Sequence, residues 1–89
     1  FEWTVEANAS KKTPSFEMPS GGYITVSVSV EPTDLKVNVG IVDPNGGRRY
    51  ITGSDTIHYK FSLDQSGNYM VFVENPNSAK VSVAGYYKK

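Results

Sequence analysis

Apolar and polar residues alternate with a period of two along most of this chain. The clearest run is residues 23–31, where Ile24, Val26, Val28 and Val30 alternate with mostly hydroxyl-bearing side chains. Successive side chains of a β-strand point to opposite faces, so this period predicts a strand with one buried and one solvent-facing side. No segment of ten residues carries a helical pattern. The sequence therefore predicts an all-β fold.

The same alternation predicts further strands elsewhere in the chain. Their expected inward residues are Phe1, Trp3, Val5 and Ala7; Leu35, Val37, Val39 and Ile41; Ile57, Tyr59, Phe61 and Leu63; and Val81, Val83 and Gly85. A short strand is expected around Phe16 and Met18. The segment NYMVFVEN, residues 68–75, is apolar on both faces, which predicts a central strand or one whose second face is covered.

Turn-forming residues separate the predicted strands. Segments such as PSGG, EPTD, DPNGG and DQSGN supply Pro with a preset φ, Gly or Asn for positive φ, and Asp or Ser for local caps. They recur about every ten residues, a spacing typical of sandwiches. We therefore expect one domain over residues 1–89, an antiparallel two-sheet β-sandwich of the jelly-roll kind with about seven to eight strands.

Composition excludes several classes of protein. Hydrophobic residues make up 38% and aromatic residues 12% of the 89 residues, which is unlike a disordered chain. Nine basic and nine acidic residues cancel, so the positive field of a nucleic-acid-binding protein is missing and no nucleic-acid partner is expected. There is no cysteine for a disulfide or a thiolate metal site. No apolar run approaches the length of a membrane span.

The segment DPNGG, residues 43–47, allows three interpretations. A phosphate-binding loop is excluded, because such a loop precedes a helix and RRYITG continues as strand. Calcium needs several oxygen ligands, and Asp43 is the only carboxylate in residues 36–51. A second acid would have to come from elsewhere in the chain, and the candidates are Asp34, Asp55, Asp64 and Glu74. A hairpin turn needs only Asp43, Pro44 and the glycines, so we expect a turn, no cofactor, and calcium only as the alternative.

Catalytic residues are scarce. His58 is the only histidine, so a histidine general base would have to be this residue. By alternation it points away from Ile57 and Tyr59 toward solvent. Ser54 and Asp55 lie near it in sequence, but a hydrolase triad is assembled in space and also needs an oxyanion hole. We expect a protein that is not an enzyme.

Aromatic residues exceed what the core requires. Trp3, Tyr59, Phe61 and Tyr69 fall on inward positions, whereas Phe72 and several tyrosines are harder to place inside. Exposed tyrosine offers contact area at low entropic cost. The two arginines that follow the DPNGG turn fit either a charged strand edge or a binding site at the loop end. The predicted ligand-binding residues are Tyr23, Tyr50, Arg48, Arg49, Tyr86 and Tyr87. Cross-strand packing of the tyrosines is the alternative.

One pattern resembles a known family. The stretch VNVGIVDPNGGRRYITG, then IHYKFSLDQSGNYMVFVEN, then KVSVAGYY is similar to GOLD-like β-sandwich domains. The matching residues are Asp43, Pro44, Gly46, Tyr50, Phe61, Gly67, Tyr69 and Asn75. The end of the chain is also similar to the small jelly-roll domains appended to secreted bacterial peptidases, the pre-peptidase C-terminal type. Cysteine, a transmembrane helix and a coiled coil, which trafficking GOLD proteins have, are missing.

The resemblance implies a non-catalytic binding module that is secreted or exposed on the cell surface. Its ligand would be a protein or a carbohydrate, and exposed aromatic residues together with loops at one end of the sandwich would form the contact surface. A free-standing secreted effector, such as an antimicrobial or inhibitory protein, is the alternative. The chain starts at Phe1 and not at Met, which fits either a processed exported protein or an excised domain.

Overall fold

Nine β-strands and no helix form in the computed structural model, which describes all residues 1–89. In chain order they are β1 (Glu2–Val5), β2 (Ser10–Lys12), β3 (Phe16–Met18), β4 (Tyr23–Glu31), β5 (Val37–Val42), β6 (Arg48–Gly53), β7 (Thr56–Ser62), β8 (Gly67–Glu74) and β9 (Val81–Lys88). Sheet 1 has the order β1-β9-β4-β7, and sheet 2 has the order β2-β8-β5-β6 with β3 also paired to β8. All pairings are antiparallel, so the predicted two-sheet β-sandwich is confirmed.

The strand pairing is nested from the chain ends inward. Strands β2 and β3 follow one another along the same edge of β8. Thr13, between them, continues the pairing: its backbone N–H donates to the Val71 carbonyl, and its Oγ1 accepts from the Val71 N–H. If β2 and β3 count as one interrupted strand, the first strand pairs with the last, the second with the second last, and so on inward. That is the order of a jelly roll. Strand β2, which raises the count above the predicted eight, was missed because SKK has no apolar alternation.

The core lies between the two sheets and consists of the inward residues of both. Val26 and Val28 of β4 and Val39 and Ile41 of β5 belong to it, and all four are fully buried. Full burial of each such side chain stabilises the fold by about 1.5–3 kcal/mol. The period-two pattern therefore identified most of the core correctly.

Four aromatic or aliphatic positions differ from the prediction. Tyr59 is on the inward side of β7 but is 43% exposed, because β7 is an edge strand of sheet 1. Leu35 lies before β5, in a turn where its N–H donates to the Pro32 carbonyl, and is only half-buried. Phe72 faces outward from sheet 2 and is nevertheless fully buried. Trp3, expected in the core, is half-buried and stacks on Phe1.

The DPNGG segment forms the predicted turn. Asp43 Oδ1 accepts the N–H groups of Asn45 at 3.0 Å and Gly47 at 2.8 Å, and the Asp43 N–H donates to the Gly47 carbonyl. Gly46 has φ of 84°, a conformation that favours glycine. The carboxylate is thus used by its own turn.

Asn75 and Tyr69 are buried polar residues that secure the loops at the two ends of β8. The Asn75 side-chain amide donates to the carbonyls of Val5, Glu6 and Ala79 at 2.8–3.1 Å and is fully buried. The Tyr69 hydroxyl donates to the Gln65 carbonyl at 2.6 Å. Burial raises the pKa of Tyr69 above its ordinary value of 10.0, and the negative charge of Asp64 adds to the increase. Both residues belong to the resemblance pattern, and both act structurally here.

Candidate ligand-binding surface

The structure divides the six predicted site residues among four places. Arg48 and Tyr50 lie together on the outer face of sheet 2, and Tyr23 and Tyr86 lie on the outer face of sheet 1. Two others occupy the sides of the sandwich. They therefore do not form one contact surface, and the tyrosines at the two outer faces must be considered separately.

Arg49 and Tyr87 close the sandwich on opposite sides. The Arg49 guanidinium donates to the Ser62 carbonyl of β7, which joins the edge of sheet 2 to the edge of sheet 1. The Tyr87 ring is half-buried and stacks on Phe16 of β3, with ring centroids 5.1 Å apart. Both contacts link the two sheets, which gives these residues a structural explanation.

The outer face of sheet 2, here called the aromatic face, is organised around Phe72. Gly40 of β5 lies directly between Phe72 of β8 and Tyr50 of β6. A Cβ at Gly40 would collide with the Arg49 backbone oxygen and with Tyr50, so the absence of a side chain lets Tyr50 reach across the strand. The two rings meet edge to face at 6.3 Å and 70°.

Arg48 completes the cover over Phe72. Its guanidinium carbon lies 4.2 Å from the Phe72 ring centroid, and its Nη2 lies 3.6 Å from Glu74 Oε2. Phe72 is fully buried beneath these groups, whereas Tyr50 remains 54% exposed. The result is an exposed aromatic ring held on a packed apolar base beside a fixed positive charge.

A row of hydrogen-bonded polar side chains runs beside the aromatic ring on the same face. Thr52 Oγ1 donates to Asn38 Oδ1 at 2.7 Å, and Asn38 Nδ2 donates to Glu74 Oε1 at 2.9 Å. The three residues are direct cross-strand neighbours on β6, β5 and β8. Hydrogen bonding within the row fixes the direction of each remaining donor and acceptor before any ligand arrives.

The outer face of sheet 1, here called the hydroxyl face, carries small polar side chains at its centre. Tyr23 and Tyr86 are 51% and 55% exposed and belong to its end near Lys60 and Lys88. The Lys60 ammonium lies 4.2 Å from the Tyr23 ring centroid. No hydrogen bond joins the side chains of this face, in contrast to the aromatic face.

The residues considered for catalysis and for a cation are dispersed. His58 is exposed on the hydroxyl face opposite Ser27, as the alternation predicts, and its side chain makes no hydrogen bond to Ser54 or Asp55. No three histidine, cysteine or acidic side chains come together as a metal-binding group. The structure also has no helix of the length and apolarity needed to cross a membrane.

Comparison with protein-family models and with curated proteins found no match to this chain. The similarity to GOLD-like and pre-peptidase C-terminal domains therefore stays a prediction. The geometry of the aromatic face carries the functional argument instead.

The sequence identified Arg48 and Tyr50 as binding residues but did not assign to the site the residues that complete their surface. These are Gly40, Phe72, Asn38, Thr52 and Glu74. The two-sided apolar pattern of residues 68–75 was the available signal, since it predicted a covered second face for β8. The polar row left no sequence signal, because Asn38 and Glu74 are 36 positions apart.

Proposed function

We propose that this protein is a non-catalytic carbohydrate-binding module whose ligand lies on the aromatic face of sheet 2. The proposal rests on one observation above all. An exposed tyrosine ring, a fixed guanidinium and a hydrogen-bonded row of amide, hydroxyl and carboxylate groups share one strand-supported surface. These are the groups that a sugar requires.

The chemistry of a sugar ring matches this arrangement. A pyranose has apolar C–H faces that pack on an aromatic ring, and equatorial hydroxyls that act as both donors and acceptors. Tyr50 would supply the packing surface, while Asn38, Thr52 and Glu74 supply acceptors and donors one row away. Because the side chains are already held in place, binding costs little ordering entropy.

The shape of the surface favours a chain of sugars over a single one. The aromatic face is a sheet surface without a deep cleft, so a monosaccharide would be incompletely covered. An extended polysaccharide lying across the strands would contact the ring and the polar row together. A secreted or cell-surface location, where such polymers occur, belongs to the same proposal and is supported by the resemblance described above.

The experiment is a titration with oligosaccharides and cell-wall polysaccharide fragments, followed by isothermal calorimetry. Wild-type protein is expected to bind at least one of them, and Tyr50→Ala to weaken that binding at least about tenfold, as expected for loss of an aromatic contact. Asn38→Ala should weaken it as well, by about two- to tenfold.

Tyr86→Ala is the matched control, because Tyr86 is equally exposed on the opposite face. It should bind carbohydrate like the wild type. Equal losses in Tyr50→Ala and Tyr86→Ala, or no carbohydrate bound by the wild type in a broad glycan array, would refute the proposal. If the wild type instead bound a protein and Tyr50→Ala abolished that binding, the aromatic face would be the binding surface, but its ligand would be a protein and not a carbohydrate.

A further inference from the structure

The hydroxyl face of sheet 1 arranges most of its side chains in four cross-strand rows, and the pair Tyr23–Ser62 lies beyond the first of them. The first row is Lys60–Thr25–Lys88, and the second is His58–Ser27–Tyr86. The third runs from Thr56 through Ser29 and Ala84 to Glu2, and the fourth from Glu31 through Ser82 to Thr4. One end of the face is therefore basic and the other acidic, although the whole chain has zero net charge.

The charges of this face have no partner of opposite charge within the molecule, and Lys60 lies only against the Tyr23 ring. The only ion pair within 4.0 Å in the structure is Arg48–Glu74 on the opposite side of the sandwich. Lys60 and Lys88 are the cross-strand neighbours of the smaller residue Thr25, which places one positive charge on each side of it. Glu31 lies about 20 Å away along the same strand, given the rise per residue of a β-strand. Both ends are exposed and lack a counter-charge.

Both halves of the face combine projecting side chains with a hollow. Tyr23, Tyr86 and the two lysines project from the basic half. The acidic half is a hollow of about 320 Å³ whose floor is Ser82 and Ala84. The basic half also has a hollow, of about 600 Å³, lined in part by Tyr23, Thr25 and Lys88. The charges of the two halves complement each other when the face meets a copy of itself in the reverse direction.

We propose that two copies of this chain associate through their hydroxyl faces, related by a two-fold axis that lies between the second and third rows and runs across the strands. This axis places the first row over the fourth row of the partner, and the second over the third. A two-fold axis along the strands would instead place basic rows over basic rows. Charge therefore selects the orientation.

The resulting contacts follow directly from the strand register. Glu31 of each copy lies over Thr25 of the other, between Lys60 and Lys88. Tyr86 lies over Ala84 in the hollow of the acidic half, where its large side chain meets a small one. Each contact occurs twice by symmetry, so four lysines and two glutamates are paired in the dimer.

The size of the interface predicts a weak dimer. The four rows hold 13 residues, which cover about 400 Å² on each copy, given the spacings of a β-sheet. A total of about 800 Å² is below the range of stable interfaces and is typical of weak, transient association. Since the contact is largely electrostatic, rising salt should weaken it. The dimer would leave both aromatic faces exposed, and it does not depend on the nature of their ligand.

Sedimentation-velocity ultracentrifugation over a range of about 10 μM to about 1 mM tests the proposal, since this range covers the affinities of transient interfaces. The wild type is expected to form a dimer that weakens with added NaCl. Glu31→Lys and the double variant Lys60→Glu/Lys88→Glu should each self-associate at least about tenfold more weakly, because each places like charges together.

Mixing the two variants is the decisive step. In the mixed pair each reversed charge meets its complement, so heterodimers should form although neither variant dimerises alone. Lys12→Glu, a charge reversal on the opposite sheet, should dimerise like the wild type. Circular dichroism checks that all variants are folded. A wild type that stays monomeric at the highest concentration, or a mixture that does not associate, would overturn the proposal.

Discussion

The aromatic face of sheet 2 and the hydroxyl face of sheet 1 cover the same core from opposite sides. On the aromatic face, Arg48 pairs with Glu74 and Asn38 bonds to both of its neighbours. On the hydroxyl face, Lys60 and Lys88 are separated from Glu31 by the length of a strand. Polar side chains that bond to one another within a face hold that face rigid. Charges that are far from any opposite charge in the monomer can instead attract the charges of a partner.

The largest expected difference between the faces concerns stability. Phe72→Ala removes a ring that is fully buried beneath Arg48 and Tyr50, and should lower the free energy of unfolding by about 3 kcal/mol. Ser27→Ala, at the centre of the hydroxyl face, should change it by less than about 0.5 kcal/mol. Urea denaturation of both variants measures the difference. Equal small effects would show that the aromatic face has no apolar base.

Gly40→Ala tests whether the missing side chain of β5 organises the aromatic face. The new Cβ would collide with the Arg49 backbone and with Tyr50, so the free energy of unfolding should fall by about 1–3 kcal/mol. Tyr50 should also be displaced from Phe72, with a change in near-ultraviolet circular dichroism. Unchanged stability and an unchanged spectrum would contradict the arrangement of the two rings.

Between the two faces, Tyr69 should make stability depend on pH in the alkaline range. Burial raises its pKa above 10.0, so the folded protein keeps this proton where the unfolded chain has lost it. The corresponding stability is present below about pH 10 and is lost as pH rises through the folded-state pKa. Urea denaturation between about pH 9 and pH 11.5 should show this loss in the wild type and less of it in Tyr69→Phe.

Tyr50→Phe is the control for that titration. Its alkaline loss of stability should match the wild type, because Tyr69 is unchanged. If Tyr69→Phe and the wild type lost stability in parallel over the same pH range, another group would be responsible.

The smallest expected effect compares two glutamates. Glu74→Gln breaks a half-exposed ion pair with Arg48, which should cost about 0.2–1 kcal/mol at low salt and less at high salt. Glu31→Gln removes a carboxylate without a partner in the monomer, so its unfolding at low protein concentration should be unchanged. Thermal melts at two ionic strengths distinguish them, and a larger salt effect in Glu31→Gln would reverse the comparison.

Local alternation predicted most of the fold because burial of one strand face leaves a direct trace in the sequence. The inward valines of β4 and the turn at Asp43–Gly47 follow from nearest neighbours along the chain. Strand β2 was missed because its three residues are all exposed and are held only by pairing to β8. Tyr59 was misplaced because alternation does not reveal which strand is at an edge.

The candidate site was predictable only in part, since it depends on register between distant segments. Arg48 and Tyr50 stood out as unexplained residues after a turn. Their link to Phe72 requires that β6 and β8 both pair with β5, and that Gly40 lies between them. The opposed charges of the hydroxyl face likewise appear only when β4, β7 and β9 are placed side by side.

The most direct test of the two-face account is a map of backbone amide chemical shifts during titration with a carbohydrate that the wild type binds. At a protein concentration low enough to keep the chain monomeric, shift changes should centre on Tyr50, Asn38, Thr52 and Glu74. Residues of the hydroxyl face, such as Ser27 and Ser29, should be unaffected. Changes centred on the hydroxyl face, with the aromatic face unaffected, would contradict the account.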